Sequence, residues 1–382
     1  MIINSIPLDF SPKYYSVSRL KTYSQCSEYY RLKYVENKYV KSISSSTLLG
    51  SLCHRVLEEL YSLDSYKDPI DLFNLLCKEV MIDVGLFDKN VSKVLLDTLV
   101  SSLISYSKDV LSLYNRASGS YIGKDAIRTK DGKVPLSPQM TSTWKDSEKA
   151  MNLPSRRDYI NRLASQISDY VENISLCEVF GESYYILSNY TVPSNLLETL
   201  YTELPISKYD EESGSLINPV LMPDSLGGED SIYLNAFIDW IGRAVHKGKE
   251  GIAIVDYKSS KEELDETKIK YNVQLYSYVY AFEKLTGLTV DFIGIHNLRT
   301  NNLYLVDVDR NGMNITLDIL FGKHKYISKE LFSKHVPDSS YSPCLSSFGK
   351  KCIYIEHCYP DLADSISEER KIEMEIERIT QR

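Results

Sequence analysis

At 382 residues the chain exceeds what one compact core usually holds, so a catalytic domain with a large insertion, or two domains, is expected. Hydrophobic residues at 43% and charged residues at 25% are ordinary for a folded globular protein, and no run of about 18 apolar residues is present to span a membrane. The net charge of −8 argues against a protein coated in nucleic acid by bulk attraction, and Met1-Ile2-Ile3-Asn4 does not open a secretion signal, so a cytoplasmic location is expected.

The first helix is expected over residues 18–35, with Ser18 as N-cap and Leu20, Tyr23, Tyr30 and Tyr34 near the helical period. From Arg19 to Lys41 six basic residues stand against Glu28 and Glu36. Such a stripe can contact phosphates, but taken alone it is more often a solvated helix face. Ser42, Ser44, Ser45 and Ser46 break the pattern, and a second helix is expected to start near Thr47–Gly50. Cys53, Val56, Leu57 and Leu60 form its apolar stripe, with His54 beside it and Glu58 one turn on. Residues 70–200 read as mostly helical, interrupted by a basic, glycine-containing loop at 123–133 that continues to Trp144. Loops of that length are usually functional or disordered. Pro223, Gly227 and Gly228 then mark the approach to a new region.

From Ile232 the texture changes to strand. Ile232–Gly242 and Gly251–Lys258 read as a hairpin joined by a turn over residues 246–251. A helix from Glu266 to Leu285 follows, with Leu275, Val279 and Phe282 as its apolar side, then strands at 289–296 and 303–308. From Asp361 onward seven acids and four bases suggest an exposed amphipathic helix. The chain has no G-x-x-x-x-G-K-[ST] phosphate loop, which argues against a self-contained ATP motor.

The strongest chemical signal is Ile254-Val255-Asp256-Tyr257-Lys258, preceded by Phe237-Ile238-Asp239. Strand residues two apart share a face, so Asp256 and Lys258 project together. Asp239, seventeen residues earlier on the hairpin partner, is close enough to share an ion with Asp256. Two carboxylates suit Mg²⁺ or Mn²⁺, which can activate water and stabilise a phosphoryl transition state. Lys258 is then placed to orient or deprotonate that water, or to neutralise the phosphate. A bare D-x-K also fits an edge strand with a surface ion pair.

The surroundings of this motif resemble the RecB-family nucleases of the PD-(D/E)xK superfamily. Ser16 to Tyr30 looks like the family's opening motif, and Gly50 to Glu58 resembles its G-x-x-x-H-x-x-L-E helix. Ala236–Ile241 and Ile254–Ser259 match its two central strands, and Tyr271–Tyr278 its Q-x-x-x-Y helix. The resemblance implies an α/β fold: a restriction-endonuclease-like core, with a mixed central sheet flanked by helices, carrying a large and mostly helical insertion. It implies His54, Asp239 and Asp256 as metal ligands and Lys258 as the catalytic lysine. Gln274 and Tyr278, one turn apart on one helix face, would line the site and contact DNA. Glu58 would brace the histidine. The domains expected on this basis are an N-terminal helical part of the core (1–80), a helical insertion forming a DNA channel or arch (81–230), the catalytic sheet (231–310) and a C-terminal cysteine region with an acidic tail (311–382).

Seven cysteines without a secretion signal point to a reducing compartment, where metal or cluster ligation outweighs disulfides. Cys53, Cys77 and Cys177 have apolar neighbours and are expected in the core. Cys26, Cys344, Cys352 and Cys358 resemble the cluster ligands of the iron–sulfur subset that includes AddB and the CRISPR adaptation nucleases. That resemblance implies a [4Fe–4S] cluster clasping the two ends of the chain around the nuclease core, although four thiolates also suit zinc. Two features depart from the subset: the first distal interval is C-x7-C instead of C-x2-C, and Ser27 stands where proline is common. The activity implied is an exonuclease acting on DNA ends in a bacterial or phage-infected cell, alongside single-strand-annealing or other recombination or replication proteins. Two alternatives are a non-catalytic, cluster-stabilised end-binding subunit and an endonuclease or end-trimming enzyme within a complex.

Overall fold

The structure, a computed structural model, describes residues 2–7, 13–38, 43–62, 67–120, 148–168, 171, 174–222, 232–260, 264–334 and 352–359. The loop 123–133, Trp144, Cys344 and the acidic tail from Asp361 lie outside the described residues.

Strands β1 (Ser5–Pro7) and β2 (Lys13–Ser16) come first, then helices α1 (Val17–Gln25) and α2 (Ser27–Tyr30) and a π-helical turn over Arg31–Val35. Five helices follow: α3 (Ser45–Ser62), α4 (Pro69–Asp83), α5 (Lys93–Ser120), α6 (Leu153–Ser165) and α7 (Leu176–Ser188). Strands β3 (Leu196–Ile206), β4 (Lys208–Asp210), β5 (Ser215–Ile217), β6 (Ile232–His246) and β7 (Lys249–Lys258) come next. Helices α8 (Glu266–Lys270) and α9 (Val273–Thr286) precede β8 (Phe292–Asn297) and β9 (Asn302–Asp307). Helices α10 (Arg310–Phe321), α11 (Lys323–Ile327) and α12 (Ile355–Cys358) close the described chain.

These elements form two compact units. One comprises Met1–Ile3, Ser42–Pro205 and Phe237–Asp309. In it, β6 and β7 pair antiparallel, β7 and β8 parallel, and β8 and β9 antiparallel, while β3 pairs with β6. The parallel step needs a crossover, supplied by α8 and α9. Every residue of β8 is buried, as expected for an inner strand covered on both faces. Lys247 (φ 51°) and Gly248 (φ 77°) make a two-residue turn with left-handed backbone at both positions, the geometry that matches strand twist. The ladder therefore runs to His246 and Lys249, and the turn is tighter than the sequence suggested. Against the sheet packs a helical layer. Phe73 of α4, fully buried, meets Phe180 and Tyr184 of α7 edge-on at 5.4 and 5.2 Å between ring centres. Cys53, Cys77 and Cys177 lie in this core, as their apolar neighbours indicated.

The other unit comprises Asn4–Lys41, Ile206–Ala236 and Arg310–Arg382. Its small sheet has the order β1-β5-β4, and β2 runs parallel to the first residues of β6. The single helix expected over 18–35 is broken here. Ser16, not Ser18, caps α1, its hydroxyl accepting the Arg19 N–H at 3.2 Å. Cys26 is extended (φ −157°, ψ 108°), and its Sγ accepts the Tyr29 N–H at 3.3 Å, restarting the helix as a new cap. Two further expectations shift. The helical texture read to about residue 200 ends at Ser188 and gives way to β3. The helix expected from Glu266 to Leu285 is two helices, because Asn272 caps a fresh start by accepting the Gln274 and Leu275 N–H groups. The architecture is the expected mixed α/β core with a mixed central sheet flanked by helices. No described helix is long and apolar enough to cross a membrane.

Candidate active site

The site forms where the β6–β7 hairpin opens. Trp240 and Val255 are the last paired residues of this ladder, and Asp239 and Asp256 lie one step beyond them. Asp239 Oδ2 takes over the role of a ladder carbonyl by accepting the Tyr257 N–H at 2.7 Å. Asp256 sits on the inner strand β7, level with Ile295 of β8, and is 2% exposed. Lys258, two residues on and on the same face, brings its Nζ within 2.5 Å of Asp256 Oδ2. Burial, together with the nearby Asp239 charge, pushes the Asp256 carboxyl upward, and Lys258 opposes that shift.

Helix α3 contributes His54 from the flank of its buried stripe Cys53, Val56, Leu57 and Leu60. His54 Nε2 lies 3.1 Å from the Tyr257 carbonyl, which can only accept, so Nε2 carries the proton of that bond. Nδ1 is thereby aimed at Asp239 Oδ1 (3.5 Å) and at Glu203 Oε1 (3.7 Å). Burial disfavours the charged imidazole, yet the Asp239 and Glu203 carboxylates outweigh it and push the group up to about 10. One ligand atom from each of His54, Glu203 and Asp239 can lie within 4.8 Å of the other two, close enough to share one cation. A backbone carbonyl fixing the distal ring nitrogen while the other faces carboxylates is the arrangement metal-binding histidines adopt. Oxygen donors with one imidazole suit a hard divalent ion.

Helix α9 completes the wall. Its cap at Asn272 puts Gln274 in the first turn and Tyr278 one turn later. Gln274 Nε2 donates to Asp256 Oδ1 at 3.1 Å and to the Tyr278 hydroxyl oxygen at 2.6 Å. Burial, with the Asp256 and Asp239 charges behind it, holds the Tyr278 phenol protonated well above its ordinary range. The six residues singled out by the sequence, His54, Asp239, Asp256, Lys258, Gln274 and Tyr278, are thus linked through these contacts.

Glu58 does not brace His54. Its carboxylate pairs with Arg55 at 2.6 Å, one turn back on its own helix, and the carboxylates facing the imidazole are those of Asp239 and Glu203. The sequence does not single out Glu203, because the segment that forms β3 reads as the end of a helical stretch. Pro193 and Pro205, which do not belong inside a helix, were the available signal. Glu203 itself has a left-handed backbone (φ 46°) within β3, a conformation that costs a non-glycine residue roughly 1–2 kcal/mol.

In the other unit the C-terminal segment packs on the opening helices. Tyr29 and Tyr354 meet edge-on with ring centres 4.9 Å apart, the Tyr354 hydroxyl donates to the Lys38 carbonyl at 2.6 Å, and Lys38 Nζ meets His357 Nε2. Cys26, Cys352 and Cys358 are all half-buried and free of disulfides in this region. Burial raises the Cys358 thiol, with smaller contributions from Glu28, Cys352 and Cys26.

Comparison with known proteins gives one family. The PD-(D/E)XK nuclease superfamily profile matches residues 14–116 and 184–326, well over half of the chain, ranges that include His54, Glu203, Asp239, Asp256, Lys258, Gln274 and Tyr278. No curated protein matches the chain. The chain belongs to the PD-(D/E)XK nuclease superfamily.

Proposed function

We propose that the protein is a deoxyribonuclease of the RecB type that hydrolyses phosphodiester bonds from DNA ends, using Mg²⁺ or Mn²⁺. The observation that carries this reading is the convergence of His54, Glu203 and Asp239 beside the Asp256–Lys258 pair, an imidazole and three carboxylates next to one cation. His54, Glu203, Asp239 and Asp256 would hold the ion. When bound, the ion supplies Lewis-acid stabilisation of the phosphate and an acidified water. Asp239 is held in place by the Tyr257 N–H, and Asp256 by Gln274. The Lys258 ammonium meets the attacking water or the non-bridging phosphate oxygen, where negative charge grows in the transition state. Gln274 and Tyr278 line the wall that the DNA backbone approaches.

Digestion of linear and circular single-stranded DNA tests the mode of attack. An exonuclease degrades the linear form and leaves the circle intact, whereas cleavage of the circle would make the enzyme an endonuclease.

For the other unit we infer that Cys26, Cys344, Cys352 and Cys358 hold a [4Fe–4S] cluster. The packing of Cys352–Tyr359 on the opening helices supports this reading. Anaerobically purified protein should be brown, with about four irons per chain, as a four-cysteine cluster requires. Colourless, iron-free protein would overturn it.

A further inference from the structure

Strand β7 ends at Lys258, and the three carbonyls that leave it are all taken up by the turn after β8. The Leu298 N–H donates to Lys258 O at 2.9 Å, Arg299 Nε to Ser259 O at 2.5 Å, and Asn297 Nδ2 to Ser260 O at 3.3 Å. Asn297 Oδ1 in turn accepts the Arg299 N–H at 3.0 Å. The Arg299 side chain is only 8% exposed, and its NH2 nitrogen donates to Glu182 Oε2 of α7 at 2.8 Å. The guanidinium fork therefore has one nitrogen on the strand exit and another on a helix.

Lysine is a long and flexible side chain, so the direction of its ammonium depends on how firmly its backbone is held. Lys258 and Asn297 are the last paired residues of the β7–β8 ladder, and after the Leu298 N–H bond to Lys258 O the next two carbonyls of the exit are held by side chains, those of Arg299 and Asn297. A buried Arg–Glu pair seldom stabilises a fold more than apolar residues of the same size would, so its presence here is better explained by the geometry it imposes.

We propose that Arg299, braced by Glu182, is a positioning residue that sets Lys258 against Asp256 for the hydrolytic step. This rests on the nuclease reading above. Arg299 touches neither the metal donors nor the Lys258 ammonium; it acts through the Ser259 carbonyl. A planar fork makes both contacts at once, which a single ammonium cannot do.

Steady-state cleavage of linear DNA with Mn²⁺ tests the proposal, using Arg299→Gln, Arg299→Lys and Glu182→Gln, with Mn²⁺ affinity followed by calorimetry. The expected result is a fall in kcat of about 10- to 100-fold for Arg299→Gln, the scale of a misplaced catalytic group, with KM and Mn²⁺ affinity within about twofold of wild type. Arg299→Lys recovers little of the loss, and Glu182→Gln gives an intermediate one. Unchanged kcat in Arg299→Gln, or kcat, KM and Mn²⁺ affinity failing together, would overturn it. A readout independent of activity is the NMR signal of ¹³C-dimethylated Lys258, assigned by its absence in Lys258→Arg. It should be shifted by Asp256 in the wild type and move to the position of a free lysine in Arg299→Gln. An unmoved signal would contradict the proposal even if wild-type protein cleaves nothing, an outcome that would sink the nuclease reading alone.

Discussion

The Asp239 carboxylate accepts the backbone N–H of Tyr257 at 2.7 Å, so the acid of one hairpin strand is anchored between Asp256 and Lys258 of the other. That bond uses Oδ2 and leaves Oδ1 facing His54 at 3.5 Å. The His54 Nε2 is tied to the carbonyl of the same Tyr257. One backbone position thus orients two of the candidate donors, from two different elements.

Glu203→Gln should weaken Mn²⁺ binding by at least about 10-fold, since even partners that only orient a ligand are worth 10- to 100-fold. Calorimetry on the purified variant reads this directly. Wild-type affinity would remove Glu203 from the donor set.

Gly242 of β6 lets β3 approach closely. A Cβ there would collide with the Glu198 carbonyl of β3 and with the Trp240 ring. A backbone carbonyl cannot swing aside as a flexible side chain can. Gly242→Ala should therefore cost about 1–3 kcal/mol or more, the range for overpacking, and should loosen the strand that carries Glu203. Urea denaturation measures the first effect and Mn²⁺ affinity the second. A variant as stable as wild type would contradict the close packing.

His296 lies buried on β8 against the Tyr190 and Tyr257 rings, with Nε2 3.1 Å from Asn301 Oδ1. Burial drives this group down to about 4, so the folded protein keeps it neutral where the unfolded chain binds a proton. Its stabilising contribution is complete above about pH 6.5, the ordinary histidine value, and is lost as pH falls from there towards 4, with a limit of about 3 kcal/mol. His296→Gln should remove that part of the slope in urea midpoints measured between pH 7 and 4. A slope identical to wild type would show that His296 takes up its proton without strain.

The hairpin, the Asp256–Lys258 face and the Gln274–Tyr278 turn were legible because each is a local pattern: alternation along a strand, or a four-residue step on a helix. His54 was readable only in the company of the other motifs, since nothing local separates a ligand histidine from one that packs in a core. Glu203 was not readable. Its role depends on β3 pairing with β6 across an interval with no fixed spacing and on a left-handed backbone at a residue that gives no sign of it. The break at Cys26 was hidden for another reason: a cysteine sulfur serves there as a helix cap, a part usually played by serine or aspartate.

The most direct test of the account is hydrolysis of end-labelled linear DNA in Mg²⁺ or Mn²⁺ by wild type, Asp256→Asn and Lys258→Ala, with a chelator control. Wild type should cleave only with metal, and each variant should lose at least about 100-fold in rate, the scale for removing one charge-stabilising group. Wild-type protein that cleaves nothing, or variants that cleave as fast as wild type, would contradict it.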